Sequence, residues 1–453
     1  MIPLLPAQKA FRTTALLWVL FVFTTFLNPG FAAPQPIHGL KLSPRVLRGT
    51  NANNAPGLGI EIEQGSIVIV GKRKLTPEER EKIKGAEITP IGFAGGAKTN
   101  WKLTAELGAP ELFPEAIVDG TKNMVGDHET AGIGEEIYKY FKDWGPCESK
   151  DCKVSIKDFD NLGPWSVTWP KKDPRDLTKF PFTNQVTTAM PLEAVLQILS
   201  DTKNKKQNPL ASDGALDANK IKILTKNNFK SFKKIKQADI TDEFLGFFSL
   251  LSSYCVLAHA SNPKEGPKRL IPVMPRTDFL AQYSTFIEPK LKEQLSDKKT
   301  TLYDIIEKAS GSSGKLAQDQ FKWKSQTPNP INEDWAGKKD DLEKGNLQVE
   351  KFLDYLQGYD KKNKKAVPQM DLVKLMDRAL RHGQVGGFDG RMEPILGTSK
   401  LVPIFEFREL KGVLGAELGA AMGSYEDKVI DYHKQSAKRG IDISEASEML
   451  ADE

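Results

Sequence analysis

The sequence predicts an α+β fold: a mostly antiparallel sheet with helices packed on one face, built as one large domain with insertions. Three observations lead there. Strand-like alternation is concentrated early in the chain and helix-like spacing late, with little of the strand–helix alternation that a doubly wound parallel sheet requires. The 453 residues, 39% apolar and 27% charged, suffice for a large buried core. Two charged strands nearly bracket the chain, Gly59-Ile60-Glu61-Ile62-Glu63 at the front and Leu401-Val402-Pro403-Ile404-Phe405-Glu406-Phe407-Arg408 at the back.

Taken in order, 58–62 is the first strand, and 66–70 is expected to pair against it. Thr76-Pro77-Glu78-Glu79 opens a short helix, with Thr76 as N-cap, Pro77 in the first turn and Glu79 completing a capping box. Gly85 ends it. The alternation from Trp101 to Leu107 reads as a half-buried strand, with 115–119 as its neighbour. Helical spacing covers 133–144. Strands follow at 165–169 and 185–189, then a helix over 191–199 with apolar Leu192, Val195, Leu196 and Leu199. The apolar stretch 244–258 is a buried helix, and its Cys255 an inert core thiol. Helices are also expected at 368–382 and 416–434. Two stretches look like insertions, at about 201–237 and 311–345. The first carries ten lysines, among them Lys220, Lys222, Lys226, Lys230, Lys233, Lys234 and Lys236, and reads as a solvated face. The second, with its Gly-Ser-Ser-Gly run and Pro328-Asn329-Pro330, is long for a plain connection.

The N-terminus reads as a secretory signal peptide over 1–32. Lys9 and Arg12 precede an apolar run over 13–27, Pro29-Gly30 breaks it, and Gly30-Phe31-Ala32 offers small residues for cleavage. An extended leader, 33–56, follows, and the folded domain is assigned to 57–453. The expectation is a secreted protein without stable membrane anchoring, since no second apolar run is long enough to span a bilayer. Cys147 and Cys152 bracket a four-residue polar loop and could close a small disulfide in an oxidising compartment. With Lys+Arg 64 against Asp+Glu 59, the net charge of +5 is spread thinly and points to no nucleic-acid partner. The expected partner is a protein or small-molecule target.

Several chemistries are excluded. Gly92-Phe93-Ala94-Gly95-Gly96-Ala97-Lys98-Thr99 is one residue short of a phosphate-binding P-loop, but its lysine leads into a strand rather than opening a helix. Asp127-His128-Glu129 reads as a polar loop, because adjacent side chains diverge and no partner motif stands nearby. Histidine is scarce, at five residues, and neither HExxH nor GxSxG occurs. Arg48-Gly49-Thr50 is similar to the opening Arg-Gly of ADP-ribosylating toxins, but the strand and loop that should follow in order do not.

The charged strands carry the chemistry that is left. A strand sends alternate side chains to opposite faces, so Glu61 and Glu63 share one face and Ile60 and Ile62 pack behind them. Glu406 and Arg408 share a face in the same way. Acid on one strand with acid and arginine on another is a floor suited to a divalent cation and a phosphate or carboxylate.

These segments resemble the amidoligase and glutamate–cysteine ligase families, relatives of glutamine synthetase. Gly59-Ile60-Glu61-Ile62-Glu63 is similar to their first strand, whose carboxylates bind metal. Trp101 to Glu106 and Glu115-Ala116-Ile117-Val118 resemble the two strands that follow. Ile271-Pro272-Val273-Met274-Pro275-Arg276 looks like the proline-and-arginine segment, and Phe405-Glu406-Phe407-Arg408 like the closing strand. The resemblance implies Mg²⁺ and ATP as cofactors. Glu61, Glu63 and Glu406 would hold the metal, with Glu106 or Glu115 completing the shell, and Arg276 and Arg408 would stabilise the charge on an acyl-phosphate. The chain departs from the family at the middle strand, where Gln185 and Thr187 stand in the place of a His-x-His pair and would contact the metal–nucleotide more weakly. The scaffold is therefore read as a degenerate one in a secreted effector, similar also to toxin-associated secreted proteins, that binds a ligand in a carboxylate- and arginine-lined cleft. An active Mg-ATP-dependent carboxylate–amine ligase is the alternative.

Overall fold

The computed structural model describes residues 54–449, apart from 89–99, 144–152, 157–163, 169–180, 214–220, 261–272, 296–301, 312–319, 323–345, 367–390 and shorter interruptions of one to four residues. The expected signal peptide, most of the leader, the glycine-rich turn at 92–99, the Cys147/Cys152 loop, the helix at 368–382 and most of 311–345 lie outside the described residues.

The strands are β1 (Leu58–Glu63), β2 (Val68–Val70), β3 (Trp101–Gly108), β4 (Glu111–Val118), β5 (Lys153–Ile156), β6 (Trp165–Thr168), β7 (Thr183–Ala189) and β8 (Val273–Pro275). They are followed by β9 (Gln320–Lys322), β10 (Asn346–Gln348), β11 (Tyr359–Asp360), β12 (Lys365–Ala366), β13 (Met392–Pro394) and β14 (Leu401–Phe407). Ten of them form one antiparallel sheet in the order β13-β14-β7-β1-β4-β2-β6-β5, with β3 on the free edge of β4 and β8 beside β13 on the outer edge of β14. The predicted α+β class holds.

The second strand does not pair with the first. β4 pairs with β1 through Glu115 to Val118 and with β2 at Leu112, so β2 continues the line of β1 along the same edge, after a turn at 64–67. Pro114 explains why an interruption is tolerated there. Opposite it, Ala105 donates its N–H away from β4, to Ala86 O, so Pro114 and Ala105 form a non-hydrogen-bonded pair. The missing proline donor therefore faces the break between β1 and β2, where no ladder bond is lost.

Seven helices accompany the sheet among the described residues: α1 (Thr130–Asp143), α2 (Leu192–Asn204), α3 (Asp242–Ala260), α4 (Phe279–Phe286), α5 (Pro289–Leu295), α6 (Leu302–Ser310) and α7 (Leu418–Met449). The capping box also forms, with Thr76 N–H on Glu79 at 2.9 Å and Glu79 N–H on the Thr76 hydroxyl at 3.3 Å. Helices α1 and α7 approach closely, since a Cβ on Gly134 would stand 2.9 Å from Gly419 Cα. Helix α7 is tied to β7 twice. Asn184 donates to the Tyr425 hydroxyl at 3.2 Å, and His433 Nε2 lies 2.9 Å from Ala189 O while its Nδ1 accepts from Leu396 N–H. Burial holds the His433 imidazole down, to about 4, so it is neutral at physiological pH and serves as a strut.

Helix α3 is apolar on all sides because it is buried on all sides, with Phe244, Phe247, Phe248, Leu251 and Tyr254 in the core. Its Cys255 is buried and unpaired, and burial pushes the thiol pKa up, as expected of an inert group. The lysine-rich stretch is less of an excursion than its composition suggests. Lys226, Lys230, Lys233, Lys234 and Lys236 are exposed, but Leu210, Ile221, Leu224, Phe229 and Ile235 join the main core. Spaced apolar residues in a charged sequence anchor it while the lysines remain solvated. No helix among the described residues is long and apolar enough to cross a membrane.

Candidate functional site

Residues directly paired across an antiparallel ladder point to the same face. Register therefore shows which side chains converge. Glu61 is opposite Gln185 and Ile117, and Glu63 is opposite Glu115. Glu115 is in turn opposite Thr104, and Glu106 follows two residues on. Glu406 is opposite Thr187 on one side and Met274 on the other. All nine residues singled out in the sequence lie on one face, spread over five adjacent strands, with Arg408 just after β14 and Arg276 just after β8. The opposite face carries Ile60, Ile62, Ala116, Val186, Phe405 and Phe407, all buried in the core.

The face is polarised. At the β14 end, Glu406 is fully buried, its carboxylate paired with Arg276 Nη2 through one oxygen and with Arg408 Nε at 2.5 Å through the other. Both guanidiniums are only partly exposed. Arg276 is placed there by its backbone: the N–H groups of Arg276 and Thr277 both donate to Ile404 O, while the Thr277 hydroxyl donates to Arg391 O and accepts from Ile404 N–H. Burial pushes the Arg276 pKa down to about 10, helped by the Arg408 charge and opposed by Glu61 and Tyr254, so it stays a cation at neutral pH. Arg408 also donates through Nε to Gln185 Oε1 at 2.7 Å.

The β1–β4–β3 end is acidic. Glu115 is buried and its pKa is pushed up to about 8, first by burial and then by the charges of Glu61, Glu106 and Glu63, against a hydrogen bond donated by the Thr104 hydroxyl at 3.3 Å. The shift reports burial of Glu115 first, and beyond it the proximity of three other carboxylates. Between the two ends, Gln185 Nε2 donates to Glu63 Oε1 at 3.3 Å. Beside Glu61 a cavity of about 440 Å³ opens, lined by Gly57, Gly59, Thr187, Arg276, Arg391 and Glu393 among others. Gly59 supplies space on the face that Glu61 continues, and the backbones of Gly57 and Gly120 meet so closely that a Cβ on Gly57 would lie 2.1 Å from Gly120 O. Glu393 closes the rim by accepting from Gly57 N–H at 2.7 Å.

Oxygen donors of this kind suit a hard cation. Among the described residues no three His, Cys, Asp or Glu side chains stand close enough to cage a metal ion by themselves. That does not conflict with Mg²⁺, which keeps several waters and is held by one or two carboxylates plus ligand phosphates. The Asp127-His128-Glu129 segment is a loop as expected: Asp127 accepts from Met124 N–H, Glu129 from Asn100, and buried Glu426 accepts from Gly126 and His128 N–H. Sequence reasoning missed Thr104, Arg391 and Glu393. The alternation Thr104-Ala105-Glu106 held the signal for the first, and Arg391-Met392-Glu393, just ahead of the closing strand, held it for the others.

No protein-family model matches the chain, and no curated protein matches it. Among solved structures it is similar to a Vibrio cholerae toxin from the MARTX/VgrG family, at a TM-score of 0.30 and 11% identity, over 79% of this chain and 94% of that one. Overlap at that score does not carry fold or activity from one protein to the other. The amidoligase resemblance rests on the sequence motifs alone.

Proposed function

We propose that this face binds a divalent cation together with a phosphate-bearing ligand, Mg²⁺ with ATP being the pair the sequence resemblance implies, in a secreted effector or toxin-like protein. One observation carries the reading: a single sheet face sets crowded carboxylates two strands, roughly 10 Å, from paired guanidiniums. That span matches a metal-bound phosphate chain, with the cation against Glu61 and Glu63 and anionic oxygens against Arg276 and Arg408. Bound Mg²⁺ would neutralise phosphate charge and act as a Lewis acid. Glu406, expected among the metal ligands, is read instead as the brace of the two arginines, since both its oxygens are engaged by them. Glu115 and Glu106 add negative potential around the cation.

A second reading, a carboxylate–amine ligase, uses the same residues, with Arg276 and Arg408 stabilising the negative oxygens of an acyl-phosphate. The cavity lined by Arg276, Arg391, Glu61 and Glu393 favours it, since it offers room and both signs of charge for a second substrate. Neutral Gln185 and Thr187 cannot take up the amine proton, which would have to pass to a carboxylate.

Calorimetric titration of Mg-ATP into the full chain tests both. Saturable binding is expected, weakened about tenfold or more by Glu61→Gln and by Arg408→Gln, the usual cost of a lost charged contact. No saturable heat from the wild type overturns the reading. Inorganic phosphate release on adding amino acids and amines to a binding-competent protein establishes the ligase; binding without turnover establishes the cleft.

A further inference from the structure

We propose that Gln185 is a positioning residue that couples the cation and anion halves of this face, so that ligands at the two ends bind cooperatively. The proposal rests on the binding reading above and concerns the regulation of that same site.

The geometry is a continuous chain of side chains. Glu63 Oε1 accepts from Gln185 Nε2 at 3.3 Å, and Gln185 Oε1 accepts from Arg408 Nε at 2.7 Å. The same Nε lies 2.5 Å from Glu406 Oε1, and the other Glu406 oxygen pairs with Arg276. Glu61 also acts on Arg276 directly through its charge, while the hydrogen-bonded path described between Glu63 and Arg408 passes through one amide on β7, the strand between the two charged ends. Its neighbours on this face, Thr183 and Thr187, are too short to bridge. An amide has a donor end and an acceptor end. The charges on either side fix which is which, because the flipped amide would set its NH₂ against the guanidinium and its oxygen against the carboxylate. In the described contacts Arg408 uses only Nε, and its Nη groups are engaged by no other described residue.

The sign of the coupling follows. In the free protein the Gln185 NH₂ occupies part of Glu63 and competes with a cation for its oxygen. An anion held by the Arg408 Nη groups draws the guanidinium toward itself and loosens its hold on the amide oxygen. The amide is then free to withdraw from Glu63, and the cation binds more tightly. By linkage the cation tightens the anion by the same factor. An imidazole at this position could gain a proton and break the chain; the amide stays neutral at every pH.

The test is calorimetry on the full chain with MgCl₂ alone, inorganic phosphate alone, and MgCl₂ at saturating phosphate. The wild type is expected to bind Mg²⁺ about tenfold more tightly with phosphate present. Gln185→Leu is expected to cut that factor to about threefold or less, the remainder being direct attraction between the two ligands. It should also raise the affinity for Mg²⁺ alone, because the competing donor is gone. A residue that merely supported the fold would lower affinity for both. Gln185→Met, linear and of similar length, is the second variant should the leucine perturb the strand. An unchanged coupling factor in a folded variant, or weaker binding of Mg²⁺ alone, overturns the relay and leaves the binding site standing. Failure of the wild type to bind either ion overturns the binding reading and the relay with it.

Discussion

Glu115→Gln should remove most of a pH dependence that the wild type carries between about pH 4.5 and 8. In the native protein burial and the neighbouring Glu61, Glu106 and Glu63 raise the Glu115 pKa to about 8, whereas the unfolded chain ionises near 4.5. Between those values the unfolded state has released a proton that the native state retains. Stability is therefore highest below 4.5 and falls as pH rises through the window. The slope is about 1.4 kcal/mol per pH unit, which over the whole window amounts to about 5 kcal/mol as an upper bound. Part of the shift comes from three partly exposed carboxylates that solvent screens, so a net difference of about 2–3 kcal/mol is the working expectation. A glutamine keeps the volume and can still accept from Thr104. Urea unfolding at pH 5, 6, 7 and 8 is the assay. The two proteins should be nearly equal at pH 5, with the variant more stable by about 2 kcal/mol or more at pH 8. Added Mg²⁺ should narrow the gap by neutralising the neighbours. Parallel pH profiles, or a variant less stable at pH 8, would show that Glu115 ionises normally and that the carboxylates are not crowded.

Glu406→Gln should destabilise the fold by about 2–4 kcal/mol, because it leaves two partly buried guanidiniums without their counter-charge. An unchanged urea midpoint would show that solvent already neutralises them. Gly246→Ala should cost about 1–3 kcal/mol despite the better helix propensity of alanine, since the added Cβ would stand 2.0 Å from Leu192 O and force α2 and α3 apart. A stabilised variant, measured by thermal melting, would contradict that contact.

Much of the face was legible because strand parity is a local property. Alternation alone put Glu61 with Glu63 and Glu406 with Arg408, and it identified the strand at 101–107, whereas the partner expected at 115–119 covers only the second half of β4 (Glu111–Val118). The expected pairing of 66–70 with 58–62 failed for a physical reason: nearness in sequence favours a hairpin, but the unbroken edge of β4 offers more ladder bonds than a short return strand. Similarly, the lysine content of 201–237 described its surface and hid its buried Phe229 and Ile235. Composition averages over both sides of a segment, and packing separates them.

The amino-acid order by itself determined which side chains share a strand face, which helices are apolar all round, and where the turns and caps fall, because each depends on neighbours within a few residues. Only the tertiary structure decided that residues as distant in the chain as Glu63 and Arg408 meet through Gln185, that Glu406 is committed to two arginines, and that Glu115 is buried beside other carboxylates, which raises its pKa. Those outcomes depend on strand order and register, which are set by the long-range competition for backbone partners and core volume across the whole sheet.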